Sequence, residues 1–268
     1  MLTEQITKAS ASDQPELHRL WTAVFGDPPE IVQAFFDHFP PDTSGWILRQ
    51  DGVVCSAAYL IPGNWYLNQS ETIPAAYLYA VATLPTMRRK GCAGRLMHAI
   101  AEHTRQRNLM LYTRPAEASL FSWYASTLDT GNIGYFQEMY FRKNESTHLL
   151  PIRQISPAEY GMMREAFYTE KPHLLMSEHF LRLQEMYSDG FFAVGEGCCC
   201  IIKNDRTLQI PELLVPEEEV LSSVQSLLNH FSSLSAHVRF AGTPSNTPGI
   251  VYTGETLPQS TNWGFLLE

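Results

Sequence analysis

The chain has 268 residues, of which 44% are hydrophobic and 12% aromatic, a composition that excludes disorder and a length that suits two cores. Its formal charge of −9 at pH 7 argues against broad binding to nucleic acid or to an anionic membrane, because both need basic surface to answer phosphate. No stretch nears the ~18 apolar residues of a membrane span and MLTEQITKAS has no long apolar run, so no signal peptide and a cytoplasmic location are expected.

In chain order, Leu17, Leu20, Trp21 and Phe25 fall at helical spacing after Asp13, which predicts a helix over 13–26 with Asp13 as N-cap. A second helix over 29–39 carries Ile31, Ala34 and Phe35 on one face. Strands are predicted over 45–49 and 53–61, with a turn at Gly63-Asn64 into another strand at 65–68. AYLYAVATL (76–84) is the most strand-like segment and Pro85 ends it. A helix ending at Arg107 follows, its stripe formed by Ala93, Leu96, Met97, Ile100, Ala101 and Thr104. A strand over 109–113, a helix over 116–128 and a strand over 135–142 close a first α/β domain, residues 1–145. KNESTH (143–148) reads as a linker.

The second half, 150–268, gives helices over 156–167 and 177–187. A hairpin of 190–203 with 208–215 turns at Asn204-Asp205; a helix over 217–231 and a strand over 237–241 follow. Strand, proline, helix and strand recur in both halves, so the second reads as a smaller α/β copy of the first on a mixed sheet. The five cysteines, at 55, 92, 198, 199 and 200, show neither CxxC nor metal-like spacing. Neighbouring strand residues point to opposite faces, so Cys198, Cys199 and Cys200 are expected as small buried hydrophobes rather than metal ligands.

One corner of this acidic chain is basic. Arg88, Arg89 and Lys90 run into Gly91-Cys92-Ala93-Gly94 between a strand and a helix, and Arg95 follows. A helix start offers unpaired N–H groups and partial positive charge, and small residues allow a phosphate to approach the backbone. A pyrophosphate is the natural ligand. The loop is neither a GxxxxGK[ST] nor a GxGxxG motif; a solvated basic turn is the alternative.

These residues resemble the [RQ]xxGx[GA] signature of the GNAT acetyltransferases, as Arg88-x-x-Gly91-x-Ala93 preceded by Val81-Ala82-Thr83-Leu84-Pro85. The resemblance covers 44–142. It implies a GNAT-like fold, acetyl-CoA as co-substrate, and a strand whose free backbone groups at Val81 and Thr83 pair with the pantetheine arm. It also implies Tyr124 as proton donor to the leaving thiolate, seven residues after Glu117, which stands where the family carries asparagine. The family's YxxxGF ending is stretched, with Gly134-Tyr135 ten residues beyond Tyr124 and DTGN inserted near the site. An oxyanion donor is expected around Thr83.

The base that deprotonates the amine is left open among Glu71, Tyr77, Tyr79, Asp37 and His38, while His98 and His103 decorate a helix. The C-terminal carboxylate of Glu268 is a further candidate, since some two-domain GNAT enzymes place the chain terminus in the active site. In the second half Glu217-Glu218-Glu219 stands where the first has bases; those acids would repel a pyrophosphate, so this half is expected to shape the acceptor site. The expected activity is acetyl transfer to an amine of a small molecule or peptide, with no nucleic acid, membrane or metal involved. The alternatives are a CoA-binding sensor without turnover and an aminoacyl transferase using charged tRNA.

Overall fold

The computed structural model describes residues 3–144, 149–169, 171–258, 261–264 and 267. It opens with β1 (Glu4–Lys8), then α1 (Gln14–Phe25), α2 (Pro29–His38) and the short α3 (Pro41–Ser44). Asp13 precedes α1 and Gly26 ends it in the left-handed region at φ +76°, its N–H bonding to Thr22 O at 3.0 Å. Next come β2 (Gly45–Gln50), β3 (Val53–Asn68), β4 (Glu71–Thr83), α4 (Cys92–Arg105), β5 (Met110–Thr113), α5 (Leu120–Thr127) and β6 (Asn132–Arg142). The remainder is β7 (Ile152–Ile155), α6 (Pro157–Tyr168), β8 (His173–Leu175), α7 (Glu178–Met186), β9 (Gly190–Val194), β10 (Gly197–Asn204), β11 (Thr207–Leu214), α8 (Val220–His230), β12 (Ser235–Ala241) and β13 (Thr247–Tyr252).

The chain forms two compact units from interleaved segments. Unit 1 takes Met1–Asn64, Ile73–Ile133 and Gly249–Thr256; unit 2 takes Trp65–Thr72, Gly134–Pro248 and Leu257–Glu268. A single break near 145–150 is therefore not how the units divide. The reason is strand pairing: β13, far along the chain, pairs antiparallel with β5 through Val251↔Thr113 and Tyr252↔Tyr112, while β6 pairs with β12. Residues 145–148 of the expected linker lie outside the described residues.

In unit 1 the strand order is β1-β2-β3-β4-β5-β13. Leu96, Met97 and Ile100 on α4 are fully buried against Leu48, Ala58, Leu78, Leu111 and Val251 of the sheet. Each such side chain contributes about 1.5–3 kcal/mol of burial. In unit 2 the order is β6-β12-β11-β10-β9-β7, and Val224, Leu227 and Leu228 of α8 pack on Val194, Cys199, Ile201, Ile210 and Val238. The three consecutive cysteines lie on β10 and are buried, as the strand alternation predicts.

Several elements differ from the sequence reading. β3 runs unbroken through Gly63-Asn64, and the turn comes at 69–70, where Asn68 Oδ1 accepts from Ser70 N at 3.0 Å and Ser70 Oγ at 2.8 Å. The segment 190–203 is two strands split at Gly195, which adopts φ +57°, and the next turn falls at Asp205-Arg206 with Asp205 at φ +52°. The second-half helix starts at Val220 after a 3-10 turn over Glu217–Glu219, and α5 starts at Leu120 rather than 116.

Candidate functional site

β4 and β5 run parallel through Ala75↔Met110, Ala76↔Leu111 and Tyr77↔Tyr112, and there the pairing stops. β4 continues six residues further, to Thr83. At the fork Thr113 Oγ1 donates to Leu78 O at 2.9 Å, and Ala80 sits in the left-handed region at φ +47°. A non-glycine residue there is strained and marks a distortion of the strand. The far side of β4 is held: buried Ser56 donates to Ala82 O at 2.7 Å and contacts Thr83 Oγ1 at 2.8 Å, and Leu84 N bonds Cys55 O at 2.9 Å. Ala82 is buried, while Val81 and Thr83 are half-buried. One edge of this stretch is thus anchored and the other has parted from its neighbour.

β4 leads through a 3-10 turn, Pro85–Met87, to Gly91, which caps α4 with φ +77°. That conformation favours glycine, and a Cβ on Gly91 would stand 2.8 Å from Arg95 Nη1. No side chain caps the helix, whose first backbone bond here is Arg95 N to Gly91 O at 3.1 Å. The N–H groups of Cys92, Ala93 and Gly94 accordingly open the helix. A Cβ on Gly94 would meet no atom within 4 Å, so its small size answers no neighbour in the protein. Arg88, Arg89 and Lys90 are exposed, with Arg88 Nε 3.4 Å from Thr83 O and Lys90 Nζ 3.7 Å from Met87 Sδ. The Cys92 side chain is buried in the core, so only its backbone faces this opening.

Residues 5–124, the segment that builds the parted strands and the glycine-capped helix, match the family model described as the acetyltransferase (GNAT) domain. Over residues 5–124 the chain is thus similar to a GNAT acetyltransferase domain. The fold is similar to that of a GCN5-related N-acetyltransferase from Kribbella flavida, at 14% identity and TM-score 0.67 over 94% of this chain and 70% of that one. It is similar to a conserved Enterococcus faecalis protein of unknown function, at 14% identity and TM-score 0.69 over the same shares of the two chains. A GCN5-related N-acetyltransferase from Anabaena variabilis matches at 13% identity and TM-score 0.67, over 89% of this chain and 66% of that one. Among curated proteins, none matches the chain.

Within this segment Tyr124 lies on α5, 7% exposed and packed with Leu111, Cys92 and Leu128. Burial pushes its phenol up to about 12, against a smaller lowering from its hydrogen bond with Thr113. Because Thr113 also bonds Leu78 O, the Tyr124 hydroxyl is linked to the fork of β4 and β5.

The other sequence candidates scatter. Glu117 is exposed in the turn before α5, accepting from Ser119 Oγ at 3.3 Å, and nothing joins it to the fork. Tyr77 stacks on Tyr112 at 5.2 Å, and Tyr79 sits among Trp21, Phe35 and Tyr77. Asp37 is exposed and takes a hydrogen bond from Gln33 at 2.8 Å, and His38 is half-buried at the end of α2. Glu71 is exposed at the start of β4, His98 is exposed on α4, and His103 packs edge-on to Trp46 at 4.7 Å. Glu268 lies outside the described residues. Sequence reading missed Ser56, Thr113 and Ala80, which shape the fork through long-range bonds and backbone strain. Among the described residues no group of His, Cys, Asp or Glu could hold a metal ion, and no helix is long and apolar enough to cross a membrane.

Proposed function

We propose that the GNAT-like domain transfers an acetyl group from acetyl-CoA to an amine of a small molecule or peptide by direct attack. The observation that carries this is the free edge of β4 running into the glycine-capped start of α4. The open space at Gly94 and the exposed bases beside it fit a pyrophosphate. When bound, acetyl-CoA supplies the activated acyl thioester. In this reading the N–H groups of Cys92, Ala93 and Gly94, with Arg88, Arg89, Lys90 and Gly91, hold the pyrophosphate. The edge at Val81, Ala82 and Thr83 pairs with the amide-bearing arm, and backbone N–H groups around Thr83 stabilise the charge that develops on the acyl oxygen. Tyr124 stays protonated at neutral pH and donates toward the leaving sulfur. Exposed Glu117 is the weakest member of this set.

Unit 2 reads as an altered copy of unit 1. In both, a strand ends at a proline-led 3-10 turn, a helix follows, and the next strand is parallel to the first. Glu217–Glu219 replaces the bases, so this copy does not take a pyrophosphate.

Calorimetric titration with acetyl-CoA, paired with release of the CoA thiol against a panel of primary amines, tests the reading. Binding well below ~1 mM with amine-dependent release supports it, and no binding at that level overturns it. The burial of Tyr124 favours a second reading, a CoA-binding protein without turnover; binding with no release from any amine would select it.

A further inference from the structure

β1 ends the strand order of unit 1 and pairs with β2 alone. In an antiparallel pair, residues alternate between turning N–H and C=O toward the neighbour and turning them away. Asp51 N bonds Thr3 O at 3.0 Å and Ala9 N bonds Gly45 O at 2.9 Å, in register with Glu4↔Gln50 and Lys8↔Trp46. Thr3, Gln5, Thr7 and Ala9 therefore turn their backbone groups to β2. Glu4, Ile6 and Lys8 turn theirs to the open side, where no backbone group meets them among the described residues.

An open strand edge is a template for another strand, and proteins blunt it with proline, a bulge or charge. β1 has no proline and pairs with β2 without a bulge. It does carry charge, Glu4 at one end and Lys8 at the other. Laid antiparallel to itself about Ile6, EQITK places Glu4 opposite Lys8, Gln5 opposite Thr7 and Ile6 opposite itself. Opposite charges and β-branched residues facing across strands stabilise a pair, and like charges destabilise it. A slip of two residues either way loses both charge pairs, so one register is favoured. Lys8 is exposed and has no ion-pair partner among the described residues.

We propose that β1 is a dimerisation edge whose partner is a second copy of this chain, paired antiparallel through Glu4, Ile6 and Lys8 about a two-fold axis at Ile6. The open backbone groups of those three residues then find partners. The partner's Lys8 answers Glu4, the carboxylate that holds Arg95. Five residues a side are few beside the roughly 20–30 of a standard interface, so the dimer is weak and depends on concentration. The proposal goes beyond acetyl transfer and stands whether or not unit 1 performs it.

The test uses the full chain. Sedimentation equilibrium over about 1–300 μM, the range of a weak interface, should show a reversible monomer–dimer step. Lys8→Glu sets like charges against Glu4 twice in each dimer and should weaken it roughly tenfold. Ile6→Pro removes an N–H that β2 does not use and should weaken it at least as much. Melting temperatures check the fold of both variants, and Lys8→Glu decides alone where the proline unfolds the strand. Cross-linking reads the register. The five native cysteines are buried, so under mild copper–phenanthroline oxidation Ile6→Cys, which faces itself, should give a disulfide-linked dimer. Lys8→Cys, which faces residue 4, should not. A monomer throughout the range, an unchanged dimer in Lys8→Glu, or Lys8→Cys linking as readily as Ile6→Cys would each overturn the proposal.

Discussion

Arg95 grips Glu4 with two hydrogen bonds, Nε to Oε1 at 2.8 Å and Nη2 to Oε2 at 2.7 Å, and its Nη1 donates to Lys90 O at 3.0 Å. Of the four bases in 88–95, this one braces the loop against β1 and leaves three exposed. Glu4 is held below the usual carboxylate range chiefly by Arg95, then by Gln50. The folded state therefore gives up this proton more readily than the unfolded chain. The resulting stability is present above about pH 4.5 and is lost as pH falls below it. Arg95→Gln should cost about 0.2–1 kcal/mol, as expected of an exposed pair, and flatten that part of the stability–pH curve in urea titrations. Acetyl-CoA binding measured on the same variant should fall less than in the variants of the exposed bases.

Arg89→Glu and Lys90→Glu should behave in the opposite way. Both side chains are exposed, and neither takes part in an ion pair among the described residues. Melting temperature should hold, while acetyl-CoA affinity falls about tenfold or more and loses part of its salt dependence. Calorimetry at two ionic strengths measures both.

Gly94 separates folding from binding. Replacing it by alanine meets no protein atom within 4 Å and removes a helix-disfavoured residue, so stability should hold or rise by up to ~1 kcal/mol. Gly94→Leu fills the same space and should weaken acetyl-CoA binding at least tenfold with the fold intact, since a pyrophosphate then cannot reach the backbone. Equal affinity in the leucine variant would remove the glycine from the proposed site.

Tyr124→Phe keeps the buried ring and deletes the hydroxyl. Loss of one neutral hydrogen bond costs about 0.5–1.5 kcal/mol. Turnover should drop about tenfold to a thousandfold with the KM for acetyl-CoA nearly unchanged, as for loss of a proton donor. Because the folded phenol is raised from 10 to about 12, its neutral form stabilises the fold fully below pH 10, and that contribution drains away as pH rises toward 12. Alkaline unfolding of Tyr124→Phe should show a shallower fall over that window.

Arg164 and Glu212 form a buried ion pair in unit 2 with Tyr160 and Tyr168 as further donors. Glu212→Leu alone leaves a guanidinium without its carboxylate and should cost about 3–5 kcal/mol. Adding Arg164→Met should recover part of that loss. A double-mutant cycle in urea resolves the coupling.

What was legible in the sequence is local. The α4 stripe, the glycine loop and the alternating cysteines of β10 follow from spacing alone. What was not legible depends on residues brought together from afar. Glu4 meets Arg95 across 91 positions, Thr113 meets Leu78 across 35 and Ser56 meets Ala82 across 26. β1, EQITK, shows no apolar alternation because Ile6 alone of its residues packs against the core, and only half-buried. β13 begins with the turn-forming residues Thr247-Pro248-Gly249, and only its end, Val251 and Tyr252, pairs with β5. Glu117 was placed by family spacing on a helix that begins three residues later, so it occupies the preceding turn instead.

The late arrival of β13 sets the order in which the molecule can be completed during synthesis. Unit 1 lacks its last strand until the chain has grown roughly 120 residues past Ile133, which takes about 6–24 s at ~5–20 residues per second. Over that interval the free edge of β5 is open to intruding strands, and a product cut at residue 145 would keep that exposure permanently. The two units are therefore not separable cassettes. A cut between Ile133 and Gly134 would strip unit 1 of Val251 and Tyr252, the residues that cover the edge of β5.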